Sequence, residues 1–209
     1  MRRNGPYSGN SYKITEGEVM QLLKKMIAEK GKVFPGNILK VDSFLNHQID
    51  TDFLNEVGKE YFERFKNDGV NKILTIEASG IGIACIAAQH FHVPVVFAKK
   101  NKTKNIASDV FSSNVVSYTH GREYTVIVSK QFLSPDDRVI ILDDFLANGC
   151  AMIGLIDIVK QAGATLVGVG SVIEKGFQGG GDKLRADGIR VESLAIIDEM
   201  NDGNIVYRD

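Results

Sequence analysis

From Lys72 onward, short β-branched and apolar runs alternate with stretches of helical period, and this alternation constrains the fold more than any other feature of the chain. It builds βαβ units, because a strand returns parallel to its predecessor only through a crossover, usually a helix. The expected strands are residues 72–76, 93–98, 139–142, 165–173 and 190–196, with helices over 81–91 and 150–161. The expected fold is α/β, a central, mostly parallel sheet flanked by helices. Upstream, Val19, Leu22, Leu23, Met26 and Ile27 recur at helical spacing ahead of Gly31. Phe53, Leu54, Val57, Tyr61, Phe62 and Phe65 share one face of a second helix, which follows Asp50 and stops before Gly69. Residues 38–48 read as irregular.

Residues 99–132 break the alternation, with a lysine-rich stretch followed by 115–119 and 124–128 as a hairpin closed around Gly121. They are expected to form a flexible loop and hairpin standing off from the sheet. A connection of that length in a compact domain is usually a lid or a binding loop.

At 209 residues the chain has room for one well-buried core, with residues 1–15 polar, aperiodic and read as a tail. A net charge of -1 provides no basic field, which argues against a nucleic-acid partner. No apolar run approaches the roughly 20 residues of a membrane span, so no membrane partner is expected. Cys85 and Cys150 lie in apolar stretches without a Cys or His at metal-ligand spacing, and are expected to be reduced, in a cytoplasmic protein.

The segment richest in chemistry is 139–151, where an apolar strand ends in Asp143 and Asp144 and small residues with Gly149 lead into a helix. In parallel sheets, ligands bind at the carboxyl ends of strands, and a glycine turn lets backbone N–H groups and a helix N-terminus face an anion. The carboxylates repel a phosphate but suit hydroxyl groups or a metal ion. A ribose 5-phosphate satisfies both halves, its phosphate on Ala147, Asn148, Gly149, Cys150 and Ala151 and its hydroxyls on the acids. An isolated Asp-Asp pair would more simply be a solvated strand end; the coincidence of strand, pair and turn favours a site. Residues 77–81 form a second strand-to-helix turn through Ala78, Ser79 and Gly80. It is no dinucleotide fingerprint, because Cys85 stands at the third glycine's place and Lys99 and Lys100 follow where an acid is required.

Segment 139–151 resembles the phosphoribosyl pyrophosphate signature of the type I phosphoribosyltransferases. Segments 41–50, 77–81 and 172–178 resemble, in order and spacing, the bacterial xanthine phosphoribosyltransferases, and the likeness covers about residues 20–209. The resemblance implies a small N-terminal hood over about 16–50 and a core over about 50–209. It implies transfer of a phosphoribosyl group from phosphoribosyl pyrophosphate to xanthine, with magnesium, in a homodimer; it does not assign the metal ligands. Asp143 and Asp144 would hold the ribose. Ala78, Ser79 and Gly80 would be the pyrophosphate loop, a place where such proteins often carry a non-proline cis peptide. Lys99, Lys100 and Lys102 would belong to a loop that closes over the pyrophosphate, mobile over 99 to about 113 without ligand. Leu39 and Asn46 would cover the purine from the hood, and Lys175 and Phe177 would floor its pocket. Asn46 can donate to a 2-oxo group, which xanthine has and hypoxanthine lacks. Guanine, hypoxanthine or adenine remain alternative bases on the same scaffold. A non-catalytic sensor that binds DNA is a further alternative, although the hood carries no recognition-helix pattern.

Overall fold

The computed structural model describes residues 18–101, 109–117, 122–201 and 204–208. Helix α1, Glu18–Lys30, buries Val19, Leu23, Met26 and Ile27, the stripe that its sequence period requires. A small hairpin follows, β1 (Lys32–Phe34) against β2 (Ile38–Lys40), and then a π-helical turn over Asp42–Asn46. Helix α2, Thr51–Phe65, starts at Asp50, whose carboxylate accepts from the Phe53 N–H at 3.2 Å and so satisfies one of the donors a helix start leaves open.

The main sheet comprises β3 (Lys72–Ile76), β4 (Val95–Asn101), β5 (Val110–Ser117), β6 (Arg122–Ser129), β7 (Arg138–Leu146), β8 (Thr165–Lys175), β9 (Val191–Asn201) and β10 (Asn204–Tyr207). Helices α3 (Ser79–Phe91), α4 (Cys150–Gln161) and α5 (Gly180–Ala186) connect its strands. The strand order is β10-β9-β8-β7-β3-β4-β6-β5, and the five strands from β9 to β4 run parallel. Their side chains alternate between two apolar layers. Ile73, Ile140 and Leu142 pack beneath the N-terminal helices with Leu23, Leu54 and Tyr61, while Leu74, Ile141 and Val169 pack against Leu155, Ile158 and Val159 of α4. Full burial of one such leucine contributes about 1.5–3 kcal/mol. The residues of α1 join the same layer as α2 and α3, so the hood shares the core of the domain.

The chain steps from β3 outward to β4 and later returns to lay β7 on the other side of β3. That reversal opens a crevice at the carboxyl ends of β3 and β7, where ligands of open α/β sheets bind.

Residues 38–48, read as irregular, contain β2 and the π-helical turn, and the structure departs from the sequence reading further along the chain as well. Strand β7 continues through Asp143 and Asp144 to Leu146, because backbone pairing with β8 carries on through Phe145 opposite Ile173. The hairpin does not stand off from the sheet, since β6 pairs antiparallel with the end of β4. Lys99 and Lys100 therefore lie in β4, opposite Ile127 and Val126, and not in a loop. Residues 110–113 likewise lie in β5, inside the stretch that the resemblance assigns to the closing loop. Lys102, Gly121 and the 1–15 tail lie outside the described residues.

Candidate active site

The crevice is built on Asp143 and Asp144. The pleat of β7 turns them apart. Asp143 is buried beside the turn into α4, whereas Asp144, half-buried, accepts a hydrogen bond at 3.0 Å from Nδ2 of Asn46 at the end of the π-helical turn. The backbone N–H of Asp144 donates to Oδ1 of Asp143 at 2.9 Å. Burial pushes the Asp143 carboxyl well above the usual carboxylate range, and the charge of Asp144 pushes the same way. Ionisation of Asp143 is thus disfavoured where it lies.

A carboxyl with a raised pKa in the fold stabilises it only while protonated. Its contribution is full below the ordinary carboxylate pKa and is lost as pH rises through the folded value. Asp143→Asn, which cannot ionise, is therefore expected to match the wild type in melting temperature near pH 4. By pH 8 it should exceed it by about 2–4 °C, the effect of about 1 kcal/mol in a chain of this size. Calorimetry at the two pH values checks this; a loss of stability equal at both would mean that the ionised carboxylate is well held.

Beyond β7, Gly149 takes φ 82°, a left-handed conformation open to glycine, and lets the chain enter α4 without a gap. Asn148 Oδ1 caps the Cys150 N–H at 3.1 Å. The N–H groups of Ala151 and Met152 have no acceptor within the helix and face ligand space by position. Asp143, Phe145 and residues 146–152 line a hollow of about 80 Å³ here. Across the crevice, the peptide bond between Glu77 and Ala78 is cis, in the turn where the resemblance implies one. Gly80 opens α3 against β3 and β7 so closely that a Cβ there would sit 2.2 Å from Thr75 Oγ1 and 2.9 Å from Asp143 Oδ1.

The lysines separate by strand parity. Lys100 lies on the α4 side, its ammonium 5.7 Å from the Tyr124 ring centre, and its positive charge acts on Asp143 against the effect of burial. Its backbone N–H donates to Glu77 Oε1 at 2.6 Å, which ties β4 to the Glu77 turn. Lys99 points the other way, into an apolar groove of 710 Å³ with Phe97 and Phe132, and is not brought to the acid pair. That groove is the larger concavity, but it contains neither the acid pair nor either glycine turn, and the crevice is the better site.

Lys175, at the end of β8, donates to the Asn37 carbonyl at 3.1 Å and lies 5.6 Å from the Phe145 ring centre; burial lowers its pKa. Together with Asn46 on Asp144, this bond fastens the hood across the crevice. Leu39 is buried in the core beneath the hood, and Phe177 packs partly buried against the same core. Sequence reasoning missed Thr75, Glu77, Tyr124 and Phe145, although Glu77 and Phe145 lie within the segments 77–81 and 139–151 that carry the resemblance.

An acid pair thus stands at the switch point between two glycine turns, and a family model of the phosphoribosyl transferase domain matches residues 41–203. The chain belongs to that family. It is 60% identical over 191 residues to a xanthine phosphoribosyltransferase of Lachnoclostridium phytofermentans, covering 90% of this chain and 98% of the relative. It is also 60% identical over 190 residues to xanthine phosphoribosyltransferase 1 of Clostridium perfringens, covering 90% and 100%. Among solved structures, the APRTase from Giardia lamblia complexed with 9-deazaadenine superposes with a TM-score of 0.71 at 23% identity, covering 85% of this chain and 98% of that one. The adenine phosphoribosyltransferase from Rhodothermus marinus gives 0.70 at 24%, covering 87% and 100%. At those identities the two structures speak for the fold.

Proposed function

We propose that this phosphoribosyltransferase transfers the 5-phosphoribosyl group of phosphoribosyl pyrophosphate to xanthine, giving xanthosine 5-monophosphate and pyrophosphate, a purine salvage reaction. The observation that carries the reading is the Asn46–Asp144 hydrogen bond, which sets the amide of the hood beside the acid that would hold the ribose. The bond from C1 to pyrophosphate oxygen breaks, its electron pair leaving with pyrophosphate, as a purine nitrogen closes on C1 and the proton of the imidazole ring is released to solvent. Asp144 and Asp143 hold the ribose hydroxyls, and the carboxylate of Asp144 favours the positive charge that grows on the sugar. The turn 147–151 takes the 5-phosphate, Ala78, Ser79 and Gly80 face the pyrophosphate, and Lys100 meets its growing charge. No covalent nucleophile is required.

Among the described residues no three His, Cys, Asp or Glu side chains form a metal cage. Magnesium typically takes one or two carboxylates together with substrate phosphates, and the acid pair supplies that number, with Asp144 the more accessible. Bound there, it would offset the negative charge of the pyrophosphate. No helix in the described residues is long and apolar enough to cross a membrane. We place the reaction in the cytoplasm, because a polyanionic substrate does not cross a bilayer unaided, and assign a homodimer, which exposed Phe97 and Phe132 support.

The base pocket is read from Lys175, Phe145 and Asn46. Asn46→Ala is expected to lower kcat/KM for xanthine more than for hypoxanthine, by on the order of 1 to 3 kcal/mol of discrimination. Pyrophosphate release measured with each base in turn tests both the assignment and the residue. Equal losses would leave Asn46 a hood-fastening residue that does not read the base, and a wild type that prefers adenine would overturn the choice of xanthine.

A further inference from the structure

We propose that the ion pair of Glu174 and Arg185 is the positioning device of the 147–151 turn, an inference that rests on reading that turn as the 5-phosphate site. Glu174, in β8, is fully buried, and Arg185 on α5 grips both its oxygens, Nη1 at 2.9 Å and Nη2 at 2.7 Å. Ser193 Oγ donates to the same carboxylate. In the sheet, Glu174 pairs with Leu146, the residue at which β7 ends and the turn begins. From there the contact runs through the backbone of α5. A Cβ on Gly181 would lie 2.1 Å from Glu174 Oε1, so the first turn of α5 rests on the carboxylate. A Cβ on Gly180 would lie 2.3 Å from the Ala147 carbonyl oxygen and 2.5 Å from the Gly149 nitrogen, so the same turn rests on the candidate phosphate loop. The Gly180 N–H donates to the Ala147 carbonyl at 3.1 Å. The start of α5 is thus wedged between carboxylate and loop.

A seven-residue helix does not hold its own place; packing must hold it. Burying the Glu174 carboxylate is costly, and an ion pair built on it, with Arg185 part-exposed, is a poor source of stability compared with hydrocarbon of the same shape, so stability alone does not account for this one. Its forked geometry fixes orientation, which a greasy contact does not. Arg208 restrains α5 from the solvent side through Asp182, at 2.6 Å, and leaves the inner contact to Arg185.

The test compares Arg185→Met and Arg185→Lys with Arg190→Met. Arg190 lies before β9 at the amino end of the sheet, paired with Asp68 and Glu192 and stacked on Phe65, away from the crevice. Steady-state kinetics on the full chain should give Arg185→Met a KM for phosphoribosyl pyrophosphate raised about tenfold, with the KM for xanthine within about twofold of wild type. Amide exchange should quicken at residues 147–151. Arg185→Lys, keeping charge but not the fork, should fall between and carries the test if the methionine variant does not fold. Arg190→Met should lose stability without moving the phosphoribosyl pyrophosphate KM. The proposal is overturned if Arg185→Met leaves that KM unchanged, raises both KM values together, or is matched by Arg190→Met at equal loss of melting temperature. Wild-type saturation by phosphoribosyl pyrophosphate is measured first: its absence sinks the reading of the turn, whereas its presence with an unaffected Arg185→Met sinks the ion pair alone.

Discussion

Asp144→Asn is expected to lower kcat about a hundredfold while changing the KM values far less. The replacement keeps the size of the side chain and an acceptor for Asn46 Nδ2, now bonded at 3.0 Å, but removes the charge that favours the developing cation on the ribose. An interaction that strengthens only as that charge grows acts on turnover and not on ground-state binding. Loss of one preorganised electrostatic group costs about 3 kcal/mol in the barrier, roughly a hundredfold in rate. The loss stops short of abolition because of the coupling within the pair. With Asp144 neutral, one of the two main causes holding the Asp143 pKa up disappears, and Asp143 ionises more easily. The double variant should therefore lose more than Asp144→Asn alone. Turnover and melting temperature must separate in this series. If Asp144→Asn keeps full turnover, or loses activity only in proportion to stability, the pair is structural.

Gly80→Ala is expected to cost at least about a hundredfold in turnover through geometry. The added methyl would meet Thr75 Oγ1 at 2.2 Å and Asp143 Oδ1 at 2.9 Å. Thr75 is fully buried near the end of β3, and Oδ1 of Asp143, itself buried, accepts from the Asp144 N–H, so neither neighbour swings clear. Overpacking of this kind costs about 1–3 kcal/mol in stability. Displacing a reacting-site group by about 1 Å costs on the order of a hundredfold in rate. Two residues further on, Gly82→Ala meets the tip of the Ile49 side chain at 2.9 Å, a flexible end that can turn aside, and should stay close to wild type. Kinetics and thermal melts of the two variants check the contrast; equal behaviour would mean that the approach of α3 to β7 does not matter.

The buried strands were legible because parallel strands covered on both faces are written as continuous apolar runs, and residues 72–76 matched β3 to the residue. The same logic cut β7 short at Leu142, since polar side chains hide backbone pairing that goes on to Leu146. Lys99 and Lys100 read as part of a flexible closing loop for the same reason, although pairing with β6 makes them strand. Strands β1, β2 and β10 are three or four residues long and leave no period to detect. In the site, the acid pair and the glycine turns were visible because their spacing is local. The contacts that assemble them were not: Asn46 reaches Asp144 across 98 residues and Lys175 reaches Asn37 across 138. No periodicity records such meetings, which the winding of the sheet brings about.

The central claim is tested most directly by analysing the products of the wild-type chain given phosphoribosyl pyrophosphate, magnesium and xanthine as the sole base. Xanthosine 5-monophosphate and pyrophosphate are expected in equal amounts, formed faster than the corresponding nucleotide from hypoxanthine, guanine or adenine under the same conditions. Pyrophosphate without nucleotide, or a nucleotide formed faster from one of the other purines, would contradict it.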